Sequence, residues 1–147
     1  MARPRQKALV WILRPAPGGP QGGSKGGLEI LLLQRPDRRG GGFHPVTGKA
    51  DRGESPAQTA AREAEEETGL SGTLRDLGLR HDFEGRNGKR FEEHAFLLSV
   101  AALATPTLSD EHTSFRWVRP DEARAALLYA AHLSALEKAL AAWAGLG

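Results

Sequence analysis

Between Asp51 and Leu70 six carboxylates (Asp51, Glu54, Glu63, Glu65, Glu66 and Glu67) stand against Arg52 and Arg62. That segment carries −4 in a chain whose formal net charge is +2. At about 100° per residue on a helix, Glu63, Glu66 and Glu67 share one arc about 100° wide. Ala57, Ala60, Ala61 and Ala64 share another, centred about 120° away, so an alanine face can sit close to a sheet while three carboxylates project from its flank. Like charges at this spacing destabilise a helix by about 0.2–0.5 kcal/mol per pair. Acids also belong near a helix N-terminus, whereas these lie toward the C-terminal half. A divalent cation removes that cost, because Mg2+ and Mn2+ prefer hard oxygen donors. Taken alone, the Glu65–Glu67 run also reads as a solvated helix face. Glu65 keeps that reading, since it points about 100° away from Glu66.

Spacing decides between the two for the others. The segment from Gly48 to Leu70 reads GKADRGESPAQTAAREAEEETGL. Gly48, five residues, Glu54, seven residues and then Arg62-Glu63-Ala64-Glu65-Glu66-Glu67-Thr68-Gly69-Leu70 resembles the signature of the Nudix hydrolases. Seven fixed positions at roughly 5% background each give chance odds of order 10⁻⁹ per starting point. The one departure is Ala64, where the family prefers Ile, Leu or Val, a position of packing rather than ligation.

The resemblance implies an α/β fold of the α+β kind. In it a loop–helix–loop packs on a mixed central sheet in an α/β/α sandwich, with one domain over residues 1–147. It also implies hydrolysis of a diphosphate linkage with Mg2+ or Mn2+ as cofactor. By the same resemblance Glu63, Glu66, Glu67 and the Gly48 carbonyl are metal ligands, and Glu54 and Arg62 orient the ligand carboxylates. Val46-Thr47-Gly48, Leu33-Gln34-Arg35 and Glu111-His112-Thr113-Ser114-Phe115-Arg116-Trp117 resemble the branch acting on dihydroneopterin triphosphate and nucleoside triphosphates. That branch implies Glu111 as general base or further metal ligand, beside the plainer reading of a solvated loop acid. The expected catalytic set is thus Glu54, Arg62, Glu63 and Glu111.

The expected substrate contacts are Arg35, Phe43, His44, Lys49 and Glu93. Arginine grips phosphate bidentately, and Arg35 stands at a strand end near the box. Arg38, Arg39 and Arg52 read equally as surface charge. Phe43 can stack on a base or pterin, or serve as a core aromatic. The five histidines show no metal spacing on one element, and Gly40-Gly41-Gly42 lacks the rest of a phosphate-binding P-loop.

Particular elements must hold these residues. Lys7–Arg14 and Leu28–Gln34 read as strands of a hairpin, joined through a Gly- and Pro-rich loop at Pro15–Gly27. Arg35–Gly42 is a basic, Gly-rich loop. Ser55 as N-cap, Pro56 at N1, Gln58 closing a capping box and Gly69 at C′ delimit a helix over Pro56–Thr68. Leu74–Phe83 and Arg90–Val100 read as a hairpin around Asn87-Gly88, and Thr113–Val118 as a further strand. Pro120 starts a helical tail, in which Leu133, Leu136, Leu140 and Trp143 share a face. That face reads as core, with a homodimer contact as second reading.

Composition narrows the partners. The chain of 147 residues has no cysteine, which removes disulfides, thiolate metal sites and a cysteine nucleophile and is compatible with a cytoplasmic location. The longest nearly apolar run, Ala95–Ala104, falls short of the roughly 18 residues of a membrane span. Positive charge is mixed along the chain rather than clustered, which argues for a small phosphorylated metabolite over a nucleic acid polymer. The alternatives are a Nudix hydrolase of dinucleoside polyphosphates or nucleotide sugars and a nucleotide-sensing module without hydrolysis, although a sensor needs fewer of the five residues Glu54, Arg62, Glu63, Glu66 and Glu67.

Overall fold

Ala8 to Leu13 is an unbroken apolar run, and all six residues are buried. A strand apolar on both faces must be covered on both faces. In a computed structural model, which describes residues 3–16 and 27–146, this run is the centre of β1 (Arg5–Pro15). It is joined by β2 (Leu28–Gln34), β3 (Phe43–His44), β4 (Val46–Lys49), β5 (Thr73–Glu84), β6 (Arg90–Ser99) and β7 (Ser114–Val118) in one sheet of seven strands. The spatial order is β3-β2-β1-β6-β5, with β4 also on β1 and β7 also on β2. β1 runs parallel to β6, pairing Lys7 with Glu93 and Leu13 with Ser99. All the other pairings are antiparallel.

Alternation along the strands sorts side chains to two layers. Leu9, Trp11 and Leu13, with Ile30, Leu32 and Leu97, face helices α2 (Pro120–Ala126) and α3 (Ala130–Leu146) through Ala123, Ala135, Leu136 and Ala139. Ala8, Val10 and Ile12, with Leu31, Leu33, Phe96 and Leu98, face α1 (Pro56–Thr68) through Ala60 and Ala64. This is the expected α/β/α sandwich. Each fully buried large apolar side chain contributes about 1.5–3 kcal/mol. The Trp11 indole N–H also donates to the His132 carbonyl at 3.1 Å, tying α3 to the central strand.

The predicted hairpin of the first two strands is present, with Leu13 opposite Ile30 and Pro15 opposite Leu28. The loop expected over Pro15–Gly27 lies, at residues 17–26, outside the described residues. The capping box at Ser55 and Gln58 forms as read, and Gly69 ends α1 with a left-handed φ of 70°.

Three expectations need correction. β3 and β4 lie in a stretch not read as strand, because two and four residues broken by Pro45 are too short to show an alternating pattern. The buried face of α1 is Thr59, Ala60, Ala64, Glu67 and Thr68, while Ala57 and Ala61 are exposed. The helix is therefore rotated toward its carboxylates relative to an alanine-only face, which buries Glu67. On α3 the core contact is made by Leu136 with Ala135 and Ala139, backed by half-buried Leu140 and Trp143; Leu133 is exposed.

Candidate functional site

Two elements bring the box together. β4 pairs with the first half of β1, Gly48 opposite Ala8 and Lys49 opposite Lys7, and α1 packs across both strands. Gly48 lies so close beneath α1 that a Cβ there would overlap the Glu63 carboxyl group. Glycine at this position is therefore a matter of close approach, since its φ is not left-handed.

Arg62 organises the acids. Its Nε and Nη2 donate to Glu54 Oε2 and Oε1 at 2.6 and 2.9 Å, a two-pronged pair. Its Nη1 donates to Glu63 Oε1 and Glu66 Oε2, both at 2.9 Å, and Nη2 also reaches the Lys49 carbonyl at 3.0 Å. Asp51 Oδ2 lies 3.4 Å from Nε. Glu54 is itself held by the Asp51 backbone N–H at 2.8 Å and the Thr59 hydroxyl at 3.0 Å. These bonds, the one from Arg62 first, hold the Glu54 carboxyl down at about 2. They also raise the Arg62 guanidinium above its ordinary value.

Glu67 differs from its neighbours. It is 2% exposed, and its Oε2 has no hydrogen-bond partner among the described residues. Burial first, then a hydrogen bond shared with Glu63 and the charge of Glu111, push its carboxyl up to about 10. His112 Nδ1 lies 3.8 Å from Glu67 Oε1. Burial and then Arg35 push that imidazole down to about 4.

These groups line a cavity of about 690 Å3. Glu63, Glu67, Gly48 and Glu111 form one wall, and Lys7, Arg35, Arg38, Arg39, Lys49 and Arg86 supply positive charge around it. A second cavity of about 350 Å3 shares Lys7, Arg35 and Thr47 with the first and continues to His44, His81, Phe83, Glu93, Tyr129 and His132. Arg35 donates to the Thr47 hydroxyl at 3.2 Å at the junction.

The structure thus gathers Glu54, Glu63 and Glu66 about the Arg62 guanidinium, with Gly48 against Glu63 and Glu67 next along α1. Glu111 lines the same cavity, half exposed and 4.0 Å from Arg39. Arg35 and Lys49 line the first cavity; Arg35, His44 and Glu93 line the second. Phe43 lines neither. Its ring packs against the core on the α2 side, with the Arg116 guanidinium 5.9 Å above it, so the core alternative holds for it. Lys7, Thr47, His112, Tyr129 and His132 were not anticipated. Lys7 and Thr47 become legible only from strand register, and the others only from how the chain ends pack.

Glu63, Glu66, Glu67 and the Gly48 carbonyl offer the hard oxygen donors that a divalent cation needs. The orphaned Glu67 Oε2 and the Glu63 carboxyl lying against Gly48 fit such a group. Among the described residues no three acidic or imidazole groups are already converged on one point. Glu63 and Glu66 accept from Arg62 instead, and Glu66, whose side chain is more than half exposed, is free to turn.

Comparison with known proteins agrees with this arrangement. Residues 12–139 match the family model described as NUDIX domain. The asymmetrical bis(5'-nucleosyl)-tetraphosphatase of Rattus norvegicus is 33% identical over 103 residues, covering 65% of this chain and 67% of that protein. An octanoyltransferase of Myxococcus xanthus is 46% identical over 92 residues, or 60% of this chain. The chain spans only 26% of that protein's length. Among solved structures, a C. elegans Ap4A hydrolase binary complex superposes with a TM-score of 0.77 at 27% identity, covering 96% of this chain and 98% of its own. With the box on α1, the Gly48 approach and the Arg62 hub all in one match that spans most of the sequence, the chain belongs to the NUDIX family.

Proposed function

We propose that the protein is a pyrophosphohydrolase, dependent on Mg2+ or Mn2+, that cleaves a phosphoanhydride bond in a nucleoside or pterin triphosphate. The observation that carries this reading is the Arg62 hub, which holds Glu63 and Glu66 together while Glu63 and Glu67 line a cavity rich in arginine and lysine. A binding module has no use for acids held under that much mutual repulsion next to a phosphate-sized basic wall. Glu63, Glu66, Glu67 and the Gly48 carbonyl would hold the metal, which supplies Lewis acidity toward phosphate oxygens and water.

The remaining work falls to this chain's own side chains. Arg62, anchored by Glu54, fixes the orientation of Glu63 and Glu66. Arg35, braced by Thr47, and Lys49 bind phosphate oxygens, with Arg38 and Arg39 nearby. Glu111 accepts a proton from the attacking water, because it lines the same cavity as Glu63 and Glu67 and keeps access to solvent. His112 packs beside Glu67, with its Nδ1 3.8 Å from Glu67 Oε1. The reaction releases a monophosphate and pyrophosphate. A single domain acting on a small metabolite in the cytoplasm belongs to the same proposal.

One observation favours a second substrate. Six cationic side chains around the first cavity are ample for a chain longer than three phosphates. The relatives named for bis(5'-nucleosyl)-tetraphosphate and Ap4A hydrolysis point to a dinucleoside polyphosphate. Release of phosphate or pyrophosphate should be measured across nucleoside triphosphates, dihydroneopterin triphosphate and dinucleoside polyphosphates, with and without Mg2+ or Mn2+. Glu66→Gln and Glu67→Gln should each cut turnover by orders of magnitude with the fold intact. Undiminished turnover in both sinks the assigned metal site.

A further inference from the structure

The second cavity has a floor and two walls of different chemistry. Across the sheet, Lys49 of β4, Lys7 of β1, Glu93 of β6 and His81 of β5 are successive cross-strand partners. Glu93 is 5% exposed yet lines the cavity. Its nearest cation is Lys7 Nζ at 3.9 Å, beyond hydrogen-bond distance, and it accepts no hydrogen bond from a described residue. A buried carboxylate at the floor of an open slot, with both oxygens available, is costly unless a ligand supplies donors.

The walls suit a planar ligand. On the β5 side Phe83 lies 5.8 Å from His81 and 5.3 Å from Phe91, with rings tilted by 24° and 22°. On the α3 side Tyr129, His132 and His44 form a second group, with centroids 5.1 to 5.9 Å apart. The volume, about 350 Å3, lies within the range of about 300–1,000 Å3 of small-ligand pockets. The slot opens into the phosphate-sized cavity at Lys7, Arg35 and Thr47.

We infer that Glu93 is a specificity-determining residue that reads a planar heterocycle carrying the 2-amino-4-oxopyrimidine edge, as guanine and pterins do. This rests on the hydrolase reading above for the placement of the phosphates. An ionised carboxylate offers two acceptors and no donor. The ring N–H and amino group of guanine or a pterin present two adjacent donors. Adenine and cytosine present one donor next to an acceptor, and thymine or uracil a single donor between acceptors. Burial raises the Glu93 carboxyl above its ordinary value, and Lys7 beside it works in the opposite direction.

The test compares GTP, ITP, ATP and dihydroneopterin triphosphate in the full chain, by calorimetric binding without turnover and by kcat/KM with Mg2+. GTP should exceed ITP, which lacks the amino group, and ATP by about tenfold or more in both readouts, the usual worth of a two-bond base contact. Glu93→Gln replaces one acceptor with a donor and should erase or reverse the GTP-to-ATP ratio. The ratio of dihydroneopterin triphosphate to GTP identifies which source of the shared edge the slot takes. Equal GTP and ITP binding in the unmodified protein overturns the inference without reliance on any variant. So does a GTP-to-ATP ratio unchanged by Glu93→Gln. Base preference in binding without turnover of any substrate would instead defeat the hydrolase reading and leave the edge recognition standing.

Discussion

Replacing Gly48 with alanine separates the geometry of the box from the stability of the fold. The added Cβ falls on the Glu63 carboxyl group, the end of a flexible side chain rather than backbone. The strand backbone itself accepts alanine, since Gly48 is not left-handed, and glycine within a strand costs about 0.5–1 kcal/mol relative to alanine. Against that gain, Glu63 must leave its rotamer and give up the 2.9 Å bond from Arg62. A hydrogen bond to a charged group contributes about 1.5–3 kcal/mol, toward the lower end here because Arg62 is a quarter exposed and keeps its other partners. The net loss is about 0.5–1.5 kcal/mol, and at about 3 °C per kcal/mol for a chain of this size Tm falls by about 1.5–4.5 °C. Activity should fall far more. A displacement of about 1 Å in a catalytic group costs on the order of 100-fold, and overlap with the Glu63 carboxyl demands at least that. The assay pairs thermal unfolding by circular dichroism with kcat/KM for pyrophosphate release at 25 °C, well below Tm. A variant that unfolds within a few degrees of the parent and retains full activity would refute the close-approach argument. A fall in Tm of tens of degrees would refute the claim that the cost is local.

Arg62→Met removes the donor that orients Glu63 and Glu66. Divalent-ion affinity, read by Mn2+ titration, should weaken about 10–100-fold, the usual effect of losing a group that holds metal ligands in place; unchanged affinity would show that the acids orient themselves. His132 is held down to about 4 by burial first and then by His44 and Arg35. Its unfolded form takes up a proton near pH 6.5. Below that pH the unfolded state binds more protons than the folded one, so stability should drop as pH falls from about 6.5 toward 4, by at most about 3 kcal/mol. His132→Leu should flatten that part of the Tm-against-pH curve, and a slope equal to the parent's would assign the acid sensitivity elsewhere. Glu111→Gln should slow turnover with little effect on Tm, because Glu111 is half exposed; a near-normal rate removes it as the base.

Much of the site is local, and local features are legible in a linear chain. Ser55, Pro56, Gln58 and Gly69 delimit α1 through bonds reaching no further than four residues. The same helix sets Arg62, Glu63 and Glu66 on one flank, so their mutual engagement follows from helical geometry. β1 was readable because six apolar residues in a row leave few other fates. β3 and β4 were not, because they exist only through pairing with β2 and β1. Phe43 shows the limit from the other side. An aromatic next to the box suits a base equally well until the pairing of Phe43 with Gln34 of β2 sets its ring on the α2 side of the sheet.

The amino-acid sequence by itself determined the family, the α1 box and the chemistry of clustered carboxylates, since spacing along one helix needs no tertiary contact. Tertiary structure alone decided that Glu67 is buried while Glu66 is not. The rotation of α1 on the sheet depends on where Ala60 and Ala64 find room against β1 and β4. It alone placed Lys7 beside Glu93, residues 86 positions apart, through the parallel pairing of β1 with β6. Charges that far apart in the chain meet only after the sheet has closed, and their desolvation and pairing belong to the folded protein.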